Sequence, residues 1–258
     1  MNLGSYLLLT PGTGGALAAG TRVLKSSGSD LDFGINGYYH LELFGQSLWL
    51  TNTHVALIII VTVITVLAVV ANRILRKADP YKRPGAALNV IEYIVELFDS
   101  LTRTTMGEKH GGAFSNYIGT LFIFILMSNI SGLFGLRAPT ADYGITLGLA
   151  LITFFLIHYN GFKYQKMRHI TDLFHPLPLT PINIIGELAT PISMSLRLFG
   201  NMLSGTIIMA IIYGLLPKFL LWFWPGALHI YFDLFSGAIQ TYVFCLLTMV
   251  FISNNFDD

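Results

Sequence analysis

The sequence predicts an all-α membrane protein with five transmembrane helices, the last two long and strongly tilted, and one amphipathic helix lying at the interface. Three observations predict it. Of 258 residues, 53% are hydrophobic and only 11% charged, where an average soluble domain carries roughly a quarter charged, so the chain lacks the charge to clothe a water-exposed surface. Its apolar residues come in blocks long enough to cross a bilayer core of ~30 Å, which takes about 20 residues of helix. Finally, the basic residues gather in alternate loops: the segments between spans one and two and between spans three and four hold ten of the fifteen Lys and Arg. That asymmetry puts both loops in the cytoplasm, the N-terminus outside and the C-terminus inside.

Residues 1–46 are rich in Gly and Ser and are expected to form an extracytoplasmic tail, with 47–258 a single membrane domain. The start of the chain has no basic n-region, and Pro11 interrupts its apolar run, so it does not read as a cleaved signal. The first span is placed at about 48–71 and ends at a basic cluster, Arg73, Arg76, Lys77, Lys82 and Arg83. Over 86–104, Leu88, Ile91, Ile94, Val95 and Phe98 recur at helical spacing while Asn89, Glu92, Glu96 and Asp99 fill the other face, the pattern of an amphipathic helix too charged to span.

Spans two (117–136) and three (145–159) are joined by the short turn Arg137 to Asp142 and should form an antiparallel hairpin. A basic loop with Lys163, Lys166 and Arg168 follows. The proline-rich stretch His175 to Pro181 is then expected to break the chain. Spans four (184–216) and five (222–253) each exceed 30 residues. At 1.5 Å per residue each reaches ~45 Å, more than the bilayer core, and tilt accommodates the excess.

Several function classes are excluded early. A net charge of +1 and the absence of basic clusters interleaved with aromatics leave no nucleic-acid partner. The single cysteine, Cys245, rules out an intrachain disulfide, and its apolar surroundings mark it as inert. No nucleophile–base constellation or His-Glu-x-x-His metal site occurs. The chain is therefore expected to be a non-enzyme with no cofactor and no metal.

Arg197, near the middle of span four, is the expensive residue. A guanidinium stays charged at any physiological pH, and holding it at mid-membrane costs at least ~2.5–3.5 kcal/mol on insertion scales. Within the chain, Glu187 lies ten residues earlier on the same helix and Asp233 on the fifth. A permanent pair with Asp233 is one reading; a partner on another chain is the other, and the surrounding pattern favours it. Asn201, Ser204 and Gly205 follow Arg197 at i+4, i+7 and i+8, a polar, small-residue face. On the fifth helix, His229, Asp233, Gly237 and Gln240 form a second such row. Asp233 and His229 titrate and Gln240 both donates and accepts, so the two rows, turned toward each other, would line a hydrated path.

Arg197-Leu198-Phe199-Gly200-Asn201-Met202 with Gly205, then Gln240-Thr241-Tyr242-Val243-Phe244, preceded by Pro139-Thr140-Ala141-Asp142 and Leu151-Ile152-Thr153-Phe154-Phe155, resembles subunit a of bacterial F-type ATP synthases. The resemblance covers roughly residues 40–253. It implies a stator subunit of the membrane F0 sector in a bacterial cytoplasmic membrane, partnered by a c-subunit ring, the b-subunit peripheral stalk and the remaining synthase subunits, and carrying protons or, alternatively, sodium ions. By that resemblance Arg197 faces the carboxylate of each passing c subunit and separates two offset half-channels. Asn201, Asp233, Gln240 and Asp142 fall on the outer half-channel. Thr206 stands where the family often has His or Glu. On the inner side Asn183 occupies the place of a common glutamate, with Glu187 one turn nearer Arg197. Ser204 and His229 complete the candidate lining. The main rival is a secondary transporter with an Arg/Asp midplane site, which usually shows internal repeats and helices broken at mid-membrane. Spans four and five have no mid-span proline.

Overall fold

The computed structural model describes residues 37–43, 46–78, 85–166, 180–215 and 224–256, within one compact unit running Phe33–Asp258. Residues 1–36, with the expected tail and signal reading, lie outside the described residues, as do Lys82, Arg83, Arg168, His175 to Leu179 and Lys218.

Two strands open the described chain, β1 (Gly37–Leu43) and β2 (Gln46–Thr51), paired antiparallel with His40 opposite Trp49 and Leu43 opposite Gln46. Residues 48–51, expected in the first span, belong to this hairpin, and helix α1 starts only at Asn52. The cause is period two in the first strand, where Tyr39, Leu41 and Leu43 alternate with His40 and Glu42, a pattern that a helical face cannot use, and the Leu48-Trp49-Leu50 run pairs with it.

Helix α1 (Asn52–Arg76) ends with Arg73 and Arg76 in its last turn, where cations complement the helix dipole. Helix α2 (Ala86–Met106) follows as the amphipathic element, longer than expected by one half-turn. It turns on a single residue, Gly107, into α3 (Glu108–Ile130). Gly107 has φ +83°, a left-handed conformation that glycine supplies without strain. Four residues later, a Cβ on Gly111 would sit 2.6 Å from the Arg103 backbone, so the α2–α3 corner closes tightly only because both positions are glycine. Arg103, outside the spans, is held by Asp99 and Glu108 at 2.6 and 3.2 Å, which raise its guanidinium pKa, chiefly through the Asp99 hydrogen bond. The second span thus begins nine residues before the expected Tyr117, because Gly107 and not the apolar boundary marks its start.

After α3, two short 3-10 turns (Ser131–Phe134 and Pro139–Ala141) lead to α4 (Tyr143–Tyr164), capped by Asp142, whose Oδ1 accepts the Gly144 amide at 3.0 Å. Helix α5 (Thr180–Leu215) takes in Thr180 and Pro181, part of the stretch expected to be non-helical. Proline is tolerated there because the first turn's amides have no intrahelical acceptor. The last span is continuous over 224–253 but not uniform: α6 (Trp224–His229), a π-helical segment (Ile230–Ser236) and α7 (Gly237–Ser253). Five helices among the described residues are long and apolar enough to cross a membrane, Asn52–Arg76, Glu108–Phe134, Tyr143–Tyr164, Thr180–Gly214 and Gly226–Ser253.

The core sits where α3, α4, α5 and α7 meet, around Ile118, Ile125, Ala150, Leu198, Phe244, Cys245 and Met249, all essentially without solvent exposure. Cys245 faces helices, as an inert thiol should. Helix α2 packs on α3 and α7 through Phe98, Thr102 and Met106 and leaves Ile94 and Val95 exposed. Helix α1 stands at the periphery, with Ile58, Val66 and Leu67 exposed, as a lipid-facing helix should.

Candidate functional site: a bare guanidinium between two polar regions

Arg197 is exposed on α5 and has no hydrogen bond or ion pair among the described residues. The opposite face of the helix is anchored in the core by Met194, Ser195, Leu198, Met202 and Gly205. The exposed face runs through Ala189, Ser193, Gly200, Ser204 and Ile208, at −8, −4, +3, +7 and +11 from Arg197, a row at the spacing of one helix face. Leu188, Ile192 and Leu196 border it, also exposed. The small residues therefore divide in two. Gly200 and Ser204 share the open face with the arginine, whereas Asn201 and Gly205 turn toward the last span.

Asp233 is not the mate of Arg197. Its Oδ2 lies 2.7 Å from His229 Nδ1, and His229 Nε2 lies 3.0 Å from the Tyr213 hydroxyl, so the three residues form a chain from the C-terminal part of α5 to the π segment. The Asp233 side chain keeps only 13% of its exposure and rests over Gly132, where a Cβ would come within 3.0 Å of Oδ2. Next to it, Ser236 Oγ donates to Asn201 Oδ1 at 3.0 Å. Asn201, Asp233 and His229 are thus brought together. Gln240 sits further along the same helix, half-buried, with its Nε2 enclosed and lacking a protein partner among the described residues.

The π segment carries Asp233 at its centre. Such wide turns insert one residue into a helix and are frequent at functional sites. Beyond it, Gly237 packs so closely on α3 that an added Cβ would be 2.9 Å from Asn129 Cβ. Asn129 is fully buried and saturated: Nδ2 donates to Gly237 O at 2.9 Å and to Thr241 Oγ1 at 3.1 Å, while Oδ1 accepts from Thr140 at 2.6 Å. This side chain locks three elements together and fixes where Asp233 stands.

At the other end of α5 the polar groups face open space. A cavity of about 1050 Å³ is lined by Asn183, Glu187 and Thr190 of α5, His158 and Gln165 at the end of α4, and Asn254 and Asn255 beyond α7. Glu187 Oε1 is 3.7 Å from His158 Nδ1. Asp142 caps α4, one residue beyond Ala141, which is buried against Met202 of α5, and Ser204 and Thr206, both exposed, donate to the backbone carbonyls of Asn201 and Met202 at 2.9 Å.

Sequence reasoning missed Asn129, Ser236, Tyr213 and His158. An asparagine inside span two was the readable signal for the first, since an amide in hydrocarbon demands partners. For the others, only the packing of separate spans brings them to the site.

Five spans with polar and charged side chains held between them define a multi-pass helical membrane protein. The family model described as ATP synthase A chain matches residues 54–253, and the chain belongs to that family. It is 40% identical over 185 residues to the "ATP synthase subunit a, sodium ion specific" of Propionigenium modestum, a match spanning 65% of this chain and 62% of that protein. The "ATP synthase subunit a" of Desulforamulus reducens is 35% identical over 69% of this chain and 70% of its own. That of Mycoplasmoides gallisepticum is 31% identical over 77% and 76%.

Proposed function

We propose that this chain is the ion-translocating, non-catalytic stator subunit of a bacterial F-type ATP synthase, set in the cytoplasmic membrane with its N-terminus outside, and that the face of α5 bearing Arg197 runs against a ring of carboxylate-bearing c subunits. The observation that carries the reading is the exposed Arg197, without a bonded partner among the described residues, in a row of small residues. A charge this costly in lipid needs a counter-charge, none is bonded to it among the described residues, and Gly200 and Ser204 leave room for a partner helix to slide past.

The chemistry follows from electrostatics. A fixed guanidinium stabilises the ionised form of a passing carboxylate and lowers its pKa, so the acid sheds its proton there. The same charge repels a cation from crossing directly, and ions enter and leave through separate paths. The chain Tyr213–His229–Asp233 with Asn201 and Gln240 supports the outer path. The cavity at Glu187 and Asn183 supports the inner one. Each charge carried across the membrane potential supplies ~2.3 kcal/mol per 100 mV, and ring rotation sums these steps for ATP synthesis. An imidazole and a carboxylate in contact suit proton transfer, since each accepts and releases a proton. Sodium is the second reading, favoured by the name of the Propionigenium relative.

In the complete complex reconstituted in vesicles, Arg197→Ala should abolish ATP-driven ion pumping while the chain still co-purifies with the c-ring. Full pumping by that variant would sink the proposal. Pumping that requires sodium and persists when proton gradients are collapsed would select the second reading.

A further inference from the structure

The inner cavity holds a titratable residue on α4 that the ring-facing chemistry of α5 does not involve. His158 faces Glu187 across the cavity wall at 3.7 Å, an ion-pair distance once the ring is protonated but too long for a hydrogen bond. Phe154 meets the imidazole edge to face, 4.2 Å between centroids and 88° between planes, and fixes where the ring stands. From α5, Glu187 faces it; from beyond α7, Asn254 and Asn255 face the same space and carry no titratable group; just past the end of α4, Gln165 adds an amide. Of the described residues lining the cavity, His158 and Glu187 alone titrate. The cation nearest along α4, Lys163, lies over the Tyr164 ring instead.

Asn183, Glu187 and Thr190 follow one another at i, i+4 and i+7 and point one row of α5 into the cavity. Glu187 precedes Arg197 by ten residues, about 15 Å along the helix. A proton shed beside Arg197 and leaving through this cavity passes the pair, the titratable groups among the described lining residues.

We propose that His158 and Glu187 form a two-residue proton acceptor for the cytoplasmic path, with His158 as a translocation residue in its own right. The step is a proton transfer: the carboxylic acid O–H of the ring subunit breaks, a water chain relays the proton, and an N–H forms at Nδ1. The imidazolium is held by the Glu187 carboxylate until the proton leaves to water in the cavity. In synthesis the direction is outward from Arg197 to the cytoplasm; in hydrolysis it reverses. Because the imidazole gains and loses the transferred proton, exchange on this side should depend on cytoplasmic pH. This rests on the subunit assignment above.

The test uses the complete synthase in vesicles oriented with the cytoplasmic face outward, where external pH sets the cytoplasmic side alone. His158→Gln should slow ATP-driven proton pumping by about ten-fold or more and flatten its dependence on external pH, while the dependence on internal pH is retained. His158→Ala should regain activity with external imidazole, which the cavity is large enough to admit, and not with imidazole trapped inside. An assembled His158→Gln complex with wild-type rate and wild-type pH dependence overturns the proposal, and so does His158→Ala that fails to respond to imidazole. Sodium-driven pumping indifferent to His158 also overturns it, yet leaves the subunit assignment standing. Failure of the assignment itself has a different signature, full pumping by Arg197→Ala.

Discussion

The two polar regions on either side of Arg197 are built in opposite ways. Toward the C-terminal end of α5, side chains touch: Tyr213 to His229 at 3.0 Å, His229 to Asp233 at 2.7 Å, Ser236 to Asn201 at 3.0 Å. Toward the N-terminal end, Glu187 and His158 stand 3.7 Å apart at the edge of about 1050 Å³ of open space. A chain of bonded side chains passes a proton only if each link keeps its position to within a fraction of an ångström, so it depends on the packing around it. A water-filled vestibule makes no such demand. The outer region should therefore be sensitive to size and placement, the inner one to chemistry.

The strongest way to break the outer region is through its packing. Gly237→Val puts a branched side chain where a single Cβ already falls 2.9 Å from Asn129. Overpacking costs ~1–3 kcal/mol, and displacing Asn129 would strand its buried amide at a further ~1–3 kcal/mol. The expected outcome is loss of the chain from the purified complex, or a marked fall in its thermal midpoint in detergent. A stable, fully active Gly237→Val complex would show that α3 and α7 are not held at this distance. Asp233→Asn acts more gently, since an amide can still bond His229 but cannot titrate. ATP-driven pumping should fall by about ten-fold or more with assembly intact, and the response to pH on the outer side should weaken. If both pH responses are unchanged, Asp233 is not in the path.

How much of this was legible before the structure depends on the length of the pattern that carries it. Long apolar blocks and the single charge inside one of them need no tertiary information, so the five spans, α2 and Arg197 could be read directly. Helix starts were less legible: α1 begins at Asn52 because a period-two hairpin precedes it, and α3 begins at Glu108 because Gly107 makes the turn. Helical spacing also grouped Gly205 and Asn201 with the arginine, but 40° of rotation per four residues is enough to turn them toward the last span while Gly200 and Ser204 stay with Arg197. The partners of Asp233 and Glu187 were least legible of all. His229 was within one turn, but Tyr213 is 16 residues away on α5, and His158 is on another span.

The smallest expected effect tests whether the outer chain extends past its histidine. Tyr213→Phe removes one hydroxyl and almost no volume, so the packing of α5 against the last span is kept. If Tyr213 only tethers the imidazole, the loss is one hydrogen bond, ~0.5–1.5 kcal/mol, visible as a slightly lower thermal midpoint and an unchanged pumping rate. If it is a link of the path, His229 Nε2 loses its route to the surface and the rate falls as well. The expected result is a rate reduced by about two- to five-fold, with the complex assembled, because water can take the place of a lost hydroxyl at a half-exposed ring such as His229 more easily than at Asp233. Comparing Tyr213→Phe with Asp233→Asn on the same preparation orders the links. A gradient of effect rising inward from Tyr213 to Asp233 is what a bonded chain leading from water toward Arg197 requires. Equal effects at both positions would mean instead that the three side chains act as one rigid brace.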